Sequence, residues 1–372
     1  MAKAAPASRS ATERLKARIA REGAITVAEL MAEALIHPER GYYSSHDPFG
    51  AAGDFVTAPE ISQMFGELIG LWCAEVWRLM GEPATLGLIE LGPGRGTLLA
   101  DALRAARLVP EFRAALTLHL VEASPRLIDT QRARLAAPGD APSATWHADL
   151  GRVPEGRFIL IANEFFDALP VRQFENSANG WRERLVTLDP ETGALTFALS
   201  PPSPLAGRAV PAALAQAPAG TVFEASPAAS SLANTIGRRA AVHGGAALIV
   251  DYGYETPPGR PTLQALRAHA RHEVLDEPGS ADLTAHVDFA ALAAAAMAAG
   301  ARVQGPTPQG AFLEALGLAQ RAEGLKRSAN PSQAEAIETA QRRLADPEAM
   351  GMLFKAVAIA DPALPPLPGF AV

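Results

Sequence analysis

The sequence predicts a doubly wound, Rossmann-like α/β fold, and three observations carry that expectation. Short apolar runs at 85–90, 116–122, 145–147, 158–162 and 246–251 read as strands buried on both faces. Helical stretches separate several of them, which requires βαβ crossovers and a mainly parallel sheet. The first run leads straight into Gly92, Gly94 and Gly96 and a helix over 97–107, a strand-turn-helix of the nucleotide-binding kind.

Ahead of the sheet the pattern is helical. Residues 12–22 form one helix, stopped by Gly23, and Thr26 with Glu29 forms a capping box for a second. That second helix must end near His37, because Pro38 disfavours α geometry in the residue before it. Residues 41–59 follow neither period and read as an ordered glycine- and tyrosine-rich loop. From Ile61 through Phe65, Leu68, Ile69, Trp72, Val76 and Leu79 the apolar steps are three and four, a helix with one buried face that Gly81 closes.

Beyond the fourth strand the alternation breaks. Residues 182–188 and 195–199 flank Asp189-Pro190-Glu191-Thr192-Gly193 as a hairpin, and 200–220, rich in Pro and Ala, reads as a surface loop that buries little. Regular structure resumes with a strand at 221–224 and a helix capped by Ser226 with Pro227 in its first turn. A helix over 288–299 stopped by Gly300, another over 332–343, an antiparallel last strand over 352–359 and a Pro-rich tail complete the chain. The organisation expected is a helical extension with its loop (1–82), the first half of the core (83–170), an inserted hairpin and loop (171–220) and the second half of the core (221–372).

Composition narrows the function classes. A formal net charge of −7 without a Lys/Arg block argues against a nucleic-acid backbone as partner. One cysteine, Cys73, leaves no internal disulfide and no Cys-based zinc site; it is expected to pack as a small apolar residue, and no metal is expected. No apolar stretch reaches the ~18 residues of a spanning helix, so no membrane anchor is expected. The Ala-, Arg- and Pro-rich chain without a convincing leader suggests a bacterial cytoplasm, with a mitochondrial matrix as the alternative.

The glycine turn reads G-x-G-x-G with Thr97 where a dinucleotide fingerprint needs Gly or Ala. Glu90 directly before it would repel a pyrophosphate and attract a methionine ammonium, so S-adenosylmethionine is favoured over NAD. Glu122, ending the second strand, is placed for ribose hydroxyls, and Asp149-Leu150 after the third for adenine. The segment Asn163 to Pro170 follows the fourth strand, at the crevice where reactants should meet, and Asn163 is a candidate cofactor contact.

At this point the chain resembles the MidA-like methyltransferases, a family that includes a mitochondrial complex I assembly factor. The resemblance rests on Gly41-Tyr42-Tyr43, the segment Gly53 to Ser62, Glu90 to Gly96, Asn163 to Pro170, Asp251-Tyr252-Gly253 and Asp282 to Phe289. It implies symmetric methylation of a protein arginine, on a respiratory complex I subunit. Arginine stays protonated with delocalised lone pairs, so acceptor carboxylates are needed to bind the planar fork and localise its charge. Glu164 and Asp167 are the candidates, with Glu60 as a third that could equally close a capping box from Thr57. His286 is a candidate proton acceptor or a packing residue, and Tyr42, Tyr43 and Phe55 are candidate walls of the acceptor channel. Two competing classes remain: a cofactor-binding assembly chaperone without turnover, and a small-molecule methyltransferase.

Overall fold

In the computed structural model, which describes residues 10–37, 41–45, 56–136, 142–202 and 204–370, all five apolar runs are strands of one sheet. They are β1 (Leu86–Leu91), β2 (Leu116–Val121), β3 (Ala144–His147), β4 (Phe158–Asn163) and β5 (Gly245–Tyr254), paired in parallel in the order β3-β2-β1-β4-β5. Two more strands, β6 (Arg302–Pro308) and β7 (Phe354–Ala360), extend the far edge, with β7 antiparallel between β5 and β6. The expected last strand is therefore present and antiparallel. β6 was not expected, because Gly305 and Pro306 break its pattern; an edge strand tolerates both, with a register shift between Gln304 and Thr307.

Alternate residues along β1, β4, β5 and β7 divide between two cores, whereas β2 and β3, expected to be buried on both faces, are covered mainly on one, with Thr117 and Thr145 exposed. Leu88, Leu118, Ile161 and Leu248 pack under Phe65 and Trp72 of the helix Gln63–Leu79 and under Phe312, and buried Cys73 belongs to this layer. Ile89, Leu160, Ile249 and Val357 pack under Ile236 and Leu292 on the opposite face. The alanine tract of the helix Phe289–Ala298 is more than helix propensity: a Cβ on Gly237 would lie 2.7 Å from the Ala296 carbonyl, so small residues set how closely two helices approach.

The N-terminal helices Ala11–Glu22 and Val27–Ile36 carry capping boxes from Ser10 with Glu13 and from Thr26 with Glu29, and Gly23 has φ 90°. Of the expected loop over 41–59, Tyr42–Ser45 is one helical turn, and 46–55, with Phe55, lies outside the described residues. The helix expected from Ile61 is broken: Ala58–Ile61 is a separate turn, Ser62 is extended, and its hydroxyl caps the restart at Met64.

The hairpin Gly180–Leu188 with Leu195–Leu199 is present, inside a second sheet that also takes Arg172–Ser177, Val222–Ala225 and the two-residue strand Ile25–Thr26. Leu15, Leu30 and Met31 share a core with Val171, Val186 and Leu283, so the N-terminal extension is built onto the insert. The segment 200–220 departs from the expected bare loop: Pro204–Ala209 is helical and Ala212–Leu214 is a 3-10 turn. Ala206 is buried with Phe174, Trp181 and Phe223. A small third sheet, Gln264–Arg267, Ala270–His272 and Asp282–Thr284, was not expected. The Pro-rich tail does not merely end the chain, since Leu364, Leu367 and Phe370 are buried and the Trp72 indole donates to the Pro368 carbonyl at 3.1 Å.

Candidate active site

Chain order reverses between β1 and β4, and a cavity of about 650 Å³ opens at their carboxyl ends, where such sheets bind ligands. The glycine turn forms one wall. Gly92 has φ 59° and a Cβ there would lie 2.7 Å from the Phe165 ring, so neither backbone nor space admits a side chain. Gly94, φ 55°, also lines the cavity, while Gly96, φ 75°, lies behind it as the left-handed residue that starts the helix Thr97–Ala105.

Glu90 faces this cavity from β1. It is 3% exposed and its Oε2 has no hydrogen-bond partner among the described residues. Burial, reinforced by Glu122, pushes its carboxyl up to about 8. An unpartnered buried acid aimed into a cavity fits a cationic group such as the ammonium of S-adenosylmethionine. With its folded pKa raised, Glu90 stabilises the ligand-free fold fully below its ordinary range, and that contribution is lost as pH rises through about 8. Thermal melts should therefore show the stabilisation by S-adenosylmethionine growing from about pH 6 to about pH 7.5, with a flatter rise in Glu90→Gln. Equal slopes in both proteins would sink the assignment.

Glu122 lines the cavity one residue beyond β2 and is held on both oxygens. Oε1 accepts from the Ser124 amide at 2.8 Å and Oε2 from Gln131 Nε2 at 3.1 Å. Each oxygen keeps a second lone pair for a sugar hydroxyl. Gln131 went unrecognised in the sequence, yet it is fully buried, donates to the Gly94 carbonyl at 2.8 Å and accepts from the Trp146 indole at 2.8 Å. It ties the glycine turn to Glu122 and β3; its one sequence signal is a polar residue on the apolar side of the helix Pro125–Leu135. Glu122→Ala should weaken binding of S-adenosylhomocysteine by about 10- to 100-fold, measured by calorimetry.

Asp149 and Leu150 are not brought to the cavity. The Asp149 carboxylate is exposed and pairs with Arg152 at 3.0 Å, and Leu150 is buried in the core, so of this region only the neighbouring Ala148 lines the wall. A carboxylate at the start of a 3-10 turn with arginine three residues on has a nearer partner than the crevice.

The turn after β4 is held by a residue to which no role had been given. Asp251 Oδ2 accepts from the amides of Phe165, Phe166 and Asp167 at 3.2, 2.9 and 3.2 Å, and Oδ1 from Tyr252 at 2.9 Å. Glu164 sits at φ 49°, a left-handed conformation that this anchoring over-determines. Its Oε1 accepts from the Ala58 amide at 3.0 Å and from Asn163 Nδ2 at 3.3 Å. Asn163, Glu164 and Asp167 all line the cavity. Burial raises Glu164 to about 7, further lifted by Asp167, and raises Asp167 to about 6.

Glu60 also lines the cavity, but its Oε1 accepts a hydrogen bond from the Thr97 hydroxyl, and the Thr57 side chain makes no capping bond. The capping box expected from Thr57 is therefore absent, while Glu60 keeps its place on the cavity wall with its second oxygen free of this bond. His286 is displaced from the site altogether: its amide donates to Thr262 Oγ1 at 2.9 Å and its ring meets Tyr252 edge-on at 5.2 Å. Tyr252 lines the cavity and His286 does not. Tyr43 forms a wall with its hydroxyl donating to Asp282 Oδ1 at 2.8 Å, and buried Tyr42 supports it edge-on. Asp282, Thr284 and Gln264, from the third sheet, complete that end.

Sheet order and cavity together define a methyltransferase that uses S-adenosylmethionine. A family described as S-adenosyl-L-methionine-dependent methyltransferases matches residues 68–307. The zebrafish (Danio rerio) "protein arginine methyltransferase NDUFAF7, mitochondrial" is 38% identical over 94% of this chain and 86% of its own length; the human protein of that name is 36% identical over 92% and 81%. A Burkholderia thailandensis crystal structure with bound S-adenosyl-homocysteine superposes with a TM-score of 0.83 at 31% identity, covering 96% of this chain and 93% of that one. This chain belongs to the MidA-like methyltransferases.

Proposed function

We propose that this methyltransferase modifies an arginine side chain of a protein, symmetrically on its two terminal nitrogens, and that the acceptor is a respiratory complex I subunit. One observation supports an arginine acceptor above others: Glu164, half-buried, and Asp167, buried, face one cavity from a single turn. A pair of buried carboxyls is costly unless a cation arrives to meet it. The relatives' printed name, protein arginine methyltransferase, supports the same reading.

When bound, S-adenosylmethionine supplies an electrophilic sulfonium methyl. Glu164 and Asp167 accept hydrogen bonds from the guanidinium fork and hold its positive charge away from the nitrogen that must attack. That nitrogen loses one proton as it gains the methyl carbon, so the arginine stays a monocation. Glu164, poised at about 7, accepts the proton; His286, behind Tyr252, is out of reach for this role.

The compartment proposed is a bacterial cytoplasm; the relatives' names say mitochondrial, which supports the matrix alternative. Among the described residues no helix is long and apolar enough to cross a membrane. Incubation with tritiated S-adenosylmethionine and isolated complex I subunits tests the function. Label on arginine of one subunit, located by mass spectrometry, is expected. Cofactor binding without label would favour the chaperone, and label on small molecules alone would overturn a protein acceptor.

A further inference from the structure

The cavity is strongly acidic, which poses a difficulty for half of the cofactor. Among the described residues, six carboxyl groups face it, those of Glu60, Glu90, Glu122, Glu164, Asp167 and Asp282, against two guanidinium groups, Arg95 and Arg343. The ammonium, the sulfonium and the ribose of S-adenosylmethionine suit such walls. Its α-carboxylate does not, and needs a counter-charge.

The usual home for an anion at this turn is the start of the helix that follows. Here Glu60 already stands there, its carboxylate bonded to the hydroxyl of Thr97, the first residue of that helix. A second carboxylate at the same place would meet like charge. Arg95, within the glycine turn, has partners of its own.

Arg343 is differently placed. It comes from the helix Pro331–Ala345, which packs against the segment Ala58–Ile61, the segment that carries Glu60 and whose Ala58 amide binds Glu164. Its side chain is exposed, lines the cavity within electrostatic reach of Glu164, and makes no hydrogen bond or ion pair with any described residue. Such an arginine, beside the segment that occupies the helix start, is a cation awaiting an anion.

We propose that Arg343 binds the α-carboxylate of the methionine moiety of S-adenosylmethionine, and so fixes that moiety with its ammonium toward Glu90. The assignment explains how an acidic cavity holds a zwitterionic amino-acid end without placing a second carboxylate beside Glu60 at the helix start. It also makes the C-terminal helix, far along the chain from the glycine turn, part of the cofactor site.

Calorimetry with two ligands that differ in the carboxylate tests it. In Arg343→Met, S-adenosylmethionine should bind about tenfold or more weakly, the loss of one charge-assisted contact. Decarboxylated S-adenosylmethionine, which keeps the amine and sulfonium but lacks the carboxylate, should bind unchanged or more tightly, because a repelling cation has been removed. Arg343→Lys should recover part of the S-adenosylmethionine affinity. Equal weakening of both ligands, or no weakening of either, would overturn the proposal. Melting temperatures of the ligand-free variants, expected to match the parent because Arg343 is exposed, confirm that the fold is intact.

Discussion

Glu164→Gln will bind S-adenosylhomocysteine within about twofold of the parent and turn over its protein acceptor about 100- to 1000-fold more slowly, the scale of removing one preorganised electrostatic contact. Gln keeps the oxygen that accepts from the Ala58 amide at 3.0 Å, so the turn and the wall it forms survive. What disappears, on the proposed mechanism, is the negative charge that faces the guanidinium and the group that takes its proton. The split between affinity and turnover is the informative readout, because a collapsed site would lose both. The pH profile carries a second signature. Glu164 is raised to about 7 and Asp167 to about 6, so acceptor binding by the parent should strengthen as pH rises through this range. With Gln at 164 the upper part of that rise should vanish. Full turnover in Glu164→Gln would remove Glu164 from the chemistry.

The sheet was legible because β1, β4 and β5 are largely apolar runs buried on both faces, and such a run announces itself without any partner. β6 was hidden by Gly305 and Pro306, which an edge position tolerates, and Arg172–Ser177 by an almost wholly polar sequence. In the site, Glu90, Glu122, Glu164 and Asp167 could be located because each follows or ends a strand, and strand ends define the crevice. Roles that depend on distant pairing could not. The Glu60 partner, Thr97, is 37 residues away, and three of the four Asp251 partners are 84 to 86 residues away. His286 shows the converse limit: it stands beside a strand end and a helix cap, yet local sequence does not say that Tyr252 lies between it and the cavity. Gln131 and Arg343 went unnoticed because polar residues on otherwise amphipathic helices are ordinarily solvated.

Asp251→Asn should be the most damaging near-isosteric change in the chain. The carboxylate is fully buried and receives four amides, three on one oxygen and one on the other. Burial beside Asp167 and Glu164 raises its pKa, and the amide donors act against that rise. An asparagine must choose. With its oxygen toward Phe165, Phe166 and Asp167, its NH2 group confronts the Tyr252 amide donor-to-donor; the flipped orientation confronts three amides. The better orientation still leaves one buried clash and a weaker acceptor for the other three, a loss of about 2–4 kcal/mol from the contacts involved. Denaturant unfolding should show that loss with an unchanged m value, since the same surface is exposed. Turnover should fall further than stability predicts at a temperature where the variant is fully folded. The φ 49° conformation of Glu164 persists only because Val250 and Asp251 hold the turn from β5, and a relaxed turn would swing both acceptor carboxyls out of register. A variant with parental stability and parental turnover would show that the turn holds itself, and would remove β5 from the account of how this site is aimed.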